Sequence, residues 1–235
     1  MQNSKSMQKG KQQLVVVLGM HRSGTSAIAR GLQTMGVALG DRLQPSAKGI
    51  NDKGYWEDID FVALNAEMLE INGRSWHSLD PIQTIDVDNL CDRGYLSRAT
   101  DLLHSKIHGS ECFGLKDPRT AVLLPFWERV FVNGDVNVRY VFAIRSPLSV
   151  VNSLTRRDGF DPEKSFFLWA EYMVSGLANI ESRPFILLDY DRLISDPEGQ
   201  LSRLANWLGS PLDPEKLAVY RSDFLDEKLR HPKFS

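Results

Sequence analysis

Gly19 and Gly24 bracket a short loop, MHRS, inside the stretch LVVVLGMHRSGTSAIARGL over residues 14–32. Thr25 and Ser26 follow the second glycine, and Arg22 stands inside the loop. An apolar run before the loop and a helical pattern after it turn backbone N–H groups toward a bound anion. Glycines let the backbone approach that anion closely, Thr25 and Ser26 add hydroxyls, and the guanidinium fork of Arg22 matches phosphate or sulfonate oxygens. The spacing is that of the Walker A pattern G-x-x-x-x-G-K-[S/T]. Thr25 occupies the lysine position, and the cation has moved to Arg22. Such a loop suits a phosphorylated ligand other than an ordinary nucleoside triphosphate. The plain alternative, a glycine turn that binds nothing, is disfavoured by its place directly behind a strand.

Three further clusters bear chemistry. In YVFAIRSPLSVVNSL (residues 140–154) an apolar strand ends at Arg145, Ser146 is a candidate helix cap, and Pro147 suits a first helical turn. Ser153 falls two turns further on, and with Arg145 it can hold a second phosphate. In GLKDPRTAVLLPFW (residues 114–127), Lys116, Asp117 and Arg119 gather at a strand-to-helix junction, where Asp117 reads first as an N-cap. In NDKGYWEDIDFVALN (residues 51–65), Glu57 and Asp58 open a helix behind the aromatic pair Tyr55–Trp56, a placement that helix-dipole compensation alone would explain.

The elements that must position these residues alternate. Leu14–Leu18, Val138–Ile144 and Phe185–Leu188 read as buried parallel strands, with Cys112–Leu115 a weaker fourth. Helical faces lie between them: Ile28, Leu32 and Met35; Phe61, Leu64, Met68 and Ile71; and Phe166, Ala170, Met173 and Leu177. Asp196, Pro197, the stripe Leu201–Leu204–Ala205–Leu208 and Gly209 outline a last, structural helix. The pattern predicts an α/β fold with a mainly parallel central sheet flanked by helices in three layers, P-loop-like in its first unit. In such sheets ligands bind at the carboxyl edge, where Arg145 would stand. Residues 38–56 and 73–91 resist regular assignment and read as lid or binding loops. Residues 1–12 read as a disordered lead-in to one domain over 13–235.

The 235 residues carry 42% hydrophobic and 25% charged side chains and a net charge of −2. That balance gives no general surface for nucleic acid or membrane, so an anion site must be local. Two cysteines, Cys91 and Cys112, imply no disulfide framework and suit a reducing cytoplasm. No apolar stretch reaches membrane-spanning length, and the polar N-terminus lacks a signal-peptide core. His104 and His108, spaced i, i+4 without an accompanying carboxylate, read as a solvated helix face and not as metal ligands. Trp127, Trp169 and Trp207 read as core. Oligomeric state is not legible.

The loop and the Arg145 segment together resemble the sulfotransferase family, which uses 3′-phosphoadenosine 5′-phosphosulfate (PAPS) as donor. His21-Arg22-Ser23-Gly24-Thr25-Ser26 is similar to the family's 5′-phosphosulfate loop P-[K/R]-[S/T]-G-[T/S]-[T/S], with His21 in the proline position. Arg145 and Ser153 match the arginine and serine, eight residues apart, of its 3′-phosphate motif, and Ser146-Pro147 resembles the Asn-Pro that often follows that arginine. LLDYDRLISDPEGQLSRLANWLG (residues 187–209) resembles a third family segment, in which Tyr190 corresponds to an aromatic near the adenine. The resemblance spans residues 14–209, and the loop looks most like bacterial members that act on carbohydrates or lipids. It implies in-line sulfonate transfer to a hydroxyl of a glycan, lipid or natural product, with no metal required. It implies Lys116 near the sulfonate and basic residues near the C-terminus, Arg230 among them, closing the 3′-phosphate site. A base must take the acceptor's proton, and a carboxylate in an aromatic-walled cleft suits that work. Glu57 is the residue expected to do so, with His21, His77 and Asp117 as competitors. Tyr55, Trp56 and Trp76 suit stacking on a sugar or ring.

Two rivals stand beside this reading. A P-loop kinase using ATP would need a carboxylate at a neighbouring strand end, for which Asp189 is the candidate. A non-catalytic nucleotide-binding protein would keep the Arg145 and Ser153 contacts and transfer nothing.

Overall fold

A computed structural model describes residues 11–47 and 53–224. Four parallel strands form one sheet in the order β2-β1-β3-β4: β1 Gln13–Leu18, β2 Cys112–Lys116, β3 Asn137–Ile144 and β4 Phe185–Asp189. The helices are α1 Thr25–Leu32, α2 Ile59–Ile71, α3 Thr84–Asp92, α4 Tyr95–Ile107, α5 Leu124–Asn133, α6 Pro147–Asp158, α7 Pro162–Ala178, α8 Tyr190–Ser195, α9 Pro197–Leu208 and α10 Pro214–Val219.

Alternation along the strands sorts the core into two layers. Leu14, Val16, Leu18, Tyr140 and Phe142 face a cluster built from α2 to α7. Val15, Val17, Val141, Ala143, Ile186 and Leu188 face the opposite cluster from α1, α8 and α9. This is the expected three-layer α/β arrangement, with every expected strand present. The middle strand β1 ends in the glycine loop, and its two neighbours, β2 and β3, deliver Lys116 and, one residue past the strand, Arg145 to the same edge.

Several local expectations need correction. β4 is an edge strand, and Phe185 and Leu187 lie 36% and 39% exposed on its open side, so it is not buried on both faces. The buried side of α7 consists of Ser165, Leu168, Tyr172 and Gly176, while Phe166 is exposed. Phe142 presses against Gly176, where an added Cβ would lie 2.5 Å from its ring. Ser146 occupies the N-cap position of α6, but its side chain accepts no capping bond. Residues 73–91 are irregular only as far as Gln83, where α3 begins. Trp127 is fully buried, whereas Trp169 and Trp207 are half-buried at the margins of the two clusters. His104 and His108 are exposed, as expected of a solvated face.

Other expectations match the structure. Asp117 and Asp196 accept capping bonds from Arg119 and Gly199 N–H groups, and Gly209 ends α9 in the left-handed conformation. Of the expected lead-in, residues 1–10 lie outside the described residues; the Gln12 side chain already donates to the Ile107 and Ser110 carbonyls. Of residues 38–56, positions 48–52 lie outside them too.

Candidate active site

The loop after β1 takes its shape from positions that only glycine, or strained residues, can fill. Gly19 has φ +137°, and a Cβ there would come within 2.8 Å of the Ala143 carbonyl oxygen. Gly24 has φ +88°, and a Cβ would meet the Tyr190 ring at 2.2 Å. Arg22 also adopts a left-handed conformation, with φ 69°. Gly24 is the N-cap of α1 and offers no capping side chain, so the first turn of the helix opens on the loop.

Arg145 reaches the loop from β3. Its Nη1 donates to the Arg22 carbonyl oxygen at 2.9 Å, and its guanidinium lies over the Tyr190 ring, 4.4 Å from the centroid. Arg22 Nε donates to Ser153 Oγ at 2.8 Å. Ser153, Arg22, Arg145 and Tyr190 therefore form a chain of contacts in that order. Burial lowers the Arg22 pKa, and the charges of Arg157 and Arg145 lower it further. Two polar atoms in this cluster are buried without a hydrogen-bond partner, Ser23 Oγ and Arg145 Nε. Buried donors are seldom left unpaired in a folded protein. An unpaired hydroxyl and an unpaired guanidinium N–H beside a glycine turn fit the oxygens of an anionic ligand.

Lys116 closes the other side. Its Nζ donates to Glu57 Oε1 at 2.5 Å, the Tyr55 carbonyl at 2.9 Å and Ser26 Oγ at 3.2 Å. Ser26 Oγ in turn donates to the Tyr55 carbonyl at 3.0 Å. The Ser26 hydroxyl thus joins the Lys116 cluster instead of facing an anion with the rest of the loop. Glu57 sits one residue ahead of the cap of α2, which is Asp58, and so lies outside the helix it was expected to open. Burial raises the Glu57 carboxyl above its ordinary value; Lys116 opposes the rise and Asp117 adds to it.

The competing bases are placed differently. His21 is partly buried, with its ring 4.6 Å from Trp76 and 5.9 Å from Tyr172, and its Nε2 is shielded from solvent with no hydrogen-bond partner. Its pKa is held well below 6.5, first by burial and then by Arg119, Arg157, Lys116 and Arg22. His77 packs on Trp76 and Phe160. Asp117 is fully buried and committed to Arg119 Nη1 at 2.9 Å and Asn65 Nδ2 at 2.8 Å. Of the aromatics expected to stack on an acceptor, Trp76 carries Arg157 over its ring at 5.3 Å, and Trp56 carries Arg30 at 5.3 Å.

The structure thus gathers Arg22, Ser23, Gly24, Thr25, Ser26, Glu57, Lys116, Arg145, Ser153 and Tyr190 at the carboxyl edge around β1. Arg230 lies outside the described residues. Asp189, the carboxylate a kinase would need, ends the edge strand β4 and caps α8 through the Arg192 N–H at 2.8 Å. β3 separates it from β1. Tyr172 belongs to the surroundings of His21 and lies one position beside the expected α7 stripe, of which Met173 and Leu177 pack on the core and Phe166 does not.

Comparison with known proteins agrees with this architecture. A family model described as "Sulfotransferase family" matches residues 14–214. A curated Caenorhabditis briggsae protein with a provisional protein-tyrosine sulfotransferase name is 29% identical over 129 residues, which cover 51% of this chain and 45% of that protein. The match therefore spans less than half the length of that relative. Among solved structures, the sulfotransferase domain of the Synechococcus PCC 7002 olefin synthase superposes with a TM-score of 0.57 at 16% identity, over 97% of this chain and 86% of its own. The sulfotransferase domain from the curacin biosynthetic pathway gives 0.54 at 19%, over 90% and 79%. A Mycobacterium avium sulfotransferase gives 0.51 at 17%, over 91% and 68%. These three share the fold.

Proposed function

The chain belongs to the sulfotransferase family, and from that premise we propose that it moves a sulfonate group from PAPS to an acceptor hydroxyl. The observation that carries this reading is the pair of cations flanking β1. Lys116 and Arg145 stand at the two strand ends beside the glycine loop, and Arg145 is bonded to the loop itself. Bound there, PAPS supplies a sulfonate on a phosphate leaving group.

In this reading the backbone from Arg22 to Thr25, with the Ser23 hydroxyl, holds the 5′-phosphosulfate end. Arg145 and Ser153 hold the 3′-phosphate. Tyr190, already against Arg145 and Gly24, borders the nucleoside. Glu57 takes the proton of the acceptor hydroxyl. Burial favours it for this role, because a carboxylate with a raised pKa is the stronger base, whereas His21, ringed by cations, is a weak one. Lys116 keeps Glu57 aimed and, with Arg22, balances negative charge that develops on the sulfonate and the leaving oxygen, an electrostatic contribution that grows as water is excluded. Protein cations take the place a metal ion has in nucleotide kinases. The acceptor class, a glycan, lipid or natural-product hydroxyl, follows the resemblance. Two free cysteines, Cys91 and Cys112, suit a reducing cytoplasm as its setting.

The test has two parts. Adenosine 3′,5′-bisphosphate should raise the melting temperature more than ATP with magnesium does, since a ligand of the native state stabilises it. A labelled-sulfonate screen over sugar, lipid, phenol and amine acceptors should find transfer that Arg145→Ala and Glu57→Ala abolish. Preferential stabilisation by ATP and magnesium would overturn the assignment in favour of a kinase. Binding without transfer to any acceptor would leave a nucleotide-binding protein.

A further inference from the structure

Lys106, near the end of α4, stands outside the cluster described above, yet it is among the most heavily engaged cations in the chain. Its Nζ contacts Asp58 Oδ2 at 2.9 Å and Asp60 Oδ2 at 2.7 Å, and also reaches Asp41. Its side chain is 7% exposed and that of Asp58 is 1% exposed. Asp41, Asp58 and Asp60 bring one carboxylate oxygen each within 4.8 Å of one another, a grouping that could suit a metal ion, but the Lys106 ammonium already bonds all three. Burial works to lower the Lys106 pKa, and hydrogen bonds to Asp41, Asp60 and Asp58 outweigh it and raise it. The ammonium therefore stays charged.

The three carboxylates sit on a narrow neck. Leu43 and Asp58 form an antiparallel bridge, Gln44 N–H donates to the Glu57 carbonyl at 2.7 Å, and Ile59 N–H donates to the Arg42 carbonyl at 2.9 Å. Gly40, with φ +111°, passes so close that a Cβ there would lie 2.4 Å from Asp58 Oδ2. Consecutive residues in extended backbone send their side chains to opposite sides. Asp58 points to Lys106 on α4, and Glu57 points to Lys116 on β2. One α4–β2 unit thus grips adjacent carboxylates from two directions.

We propose that the Lys106–Asp58 ion pair is a positioning device that fixes the neck and thereby holds Glu57 in the site. The proposal rests on Glu57 being the base. Lys106 touches no reacting group; it acts through Asp58. Around Glu57 itself the charged groups are Lys116, Asp117 and Arg119, and none of these is altered by a change at position 106.

The test uses Lys106→Met, which keeps the stem and removes the charge, and Asp58→Asn, which keeps an oxygen to cap α2 while weakening the pair. The full chain is labelled for carboxyl NMR, and the Glu57 titration is followed without any acceptor. Both variants should move its midpoint toward the ordinary 4.5, as the side chain leaves its buried seat, and Lys106→Arg should restore it. An unchanged Glu57 titration in both variants overturns the positioning role, whatever the activity. In turnover, Lys106→Met should lower kcat about tenfold with unchanged affinity for adenosine 3′,5′-bisphosphate, and should cost nothing further in a Glu57→Gln background, as coupled residues do. Additive losses would also overturn it. A shifted titration with full activity of Glu57→Gln would instead remove Glu57 as the base and leave the positioning intact.

Discussion

Arg145 Nη1 donates to the main-chain oxygen of Arg22 across 123 positions of sequence, at 2.9 Å. The contact makes two anion grips into one: the residue expected to hold the 3′-phosphate also sets the carbonyl of the loop expected to hold the 5′ end. Removing Arg145 should therefore damage both. A hydrogen bond to a charged group contributes about 1.5–3 kcal/mol, so Arg145→Ala should weaken binding of adenosine 3′,5′-bisphosphate by roughly ten- to a hundredfold or more. Arg145→Lys should recover little, because an ammonium cannot lie flat on Tyr190 and also supply the planar fork. Isothermal titration calorimetry decides; an unchanged dissociation constant in Arg145→Ala would detach this residue from the donor site.

Glu57→Gln should lower kcat by about 10²- to 10⁴-fold, the usual worth of a positioned base, and leave the affinity for adenosine 3′,5′-bisphosphate as it was. A base works deprotonated, so wild-type kcat should climb with pH through an apparent midpoint above the ordinary carboxyl value of 4.5. The limb should vanish in the variant. A limb that survives in Glu57→Gln belongs to another group.

Much of this site was legible in sequence because its signals are local. The glycine loop and the Arg145–Ser153 spacing each lie within one strand–loop–helix unit, and their contacts follow once β1 and β3 pair. The bond between Glu57 and Lys116 was not legible, since 59 positions separate them and no periodicity links a neck to a strand end. Lys106 carried no signal at all: a lysine near a helix C-terminus is favoured by the dipole wherever it occurs. The most buried line of α7 runs one position beside its apolar stripe, because it includes Ser165 and Gly176, which are selected by close packing and not by hydrophobicity. Polar α3 reads as loop in the sequence because its start is a capping box of Gln83 and Asp86, where a Ser or Thr ahead of a Glu or Gln would be the recognisable signal.

Gly24→Ala should be disruptive out of proportion to one methyl group. The backbone at φ +88° disfavours any L side chain, and the new Cβ would fall 2.2 Å from Tyr190 Cδ2. Strain of this kind costs on the order of 1–3 kcal/mol. The melting temperature should drop, and Tyr190 should be pushed off Arg145. Adding Tyr190→Ala removes the clashing ring atoms but leaves the position-190 Cβ at 3.0 Å and the backbone strain, so it should restore part of the lost stability and none of the stacking. Full recovery in the double variant would show that the left-handed conformation costs little.

His21 should make the fold sensitive to mild acid. Its ring packs against Trp76 and Tyr172, Nε2 is shielded from solvent without a partner, and desolvation together with Arg119, Arg157, Lys116 and Arg22 holds its pKa well below 6.5. In the unfolded chain the imidazole titrates near its ordinary value. Below that value the unfolded state binds a proton that the folded state refuses, so stability rises with pH there and is lost as pH falls. One such proton is worth at most about 1.4 kcal/mol per pH unit. His21→Phe keeps an aromatic ring against Trp76 and has nothing to titrate. Urea unfolding at several pH values between about 7.5 and 5.5 should therefore show a steeper loss in the wild-type protein than in His21→Phe. Carboxylates contribute equally to both proteins and cancel in the comparison. Parallel curves would mean that the His21 ring accepts a proton inside the fold, and the argument that a neutral, weakly basic His21 is a poorer base than Glu57 would fail.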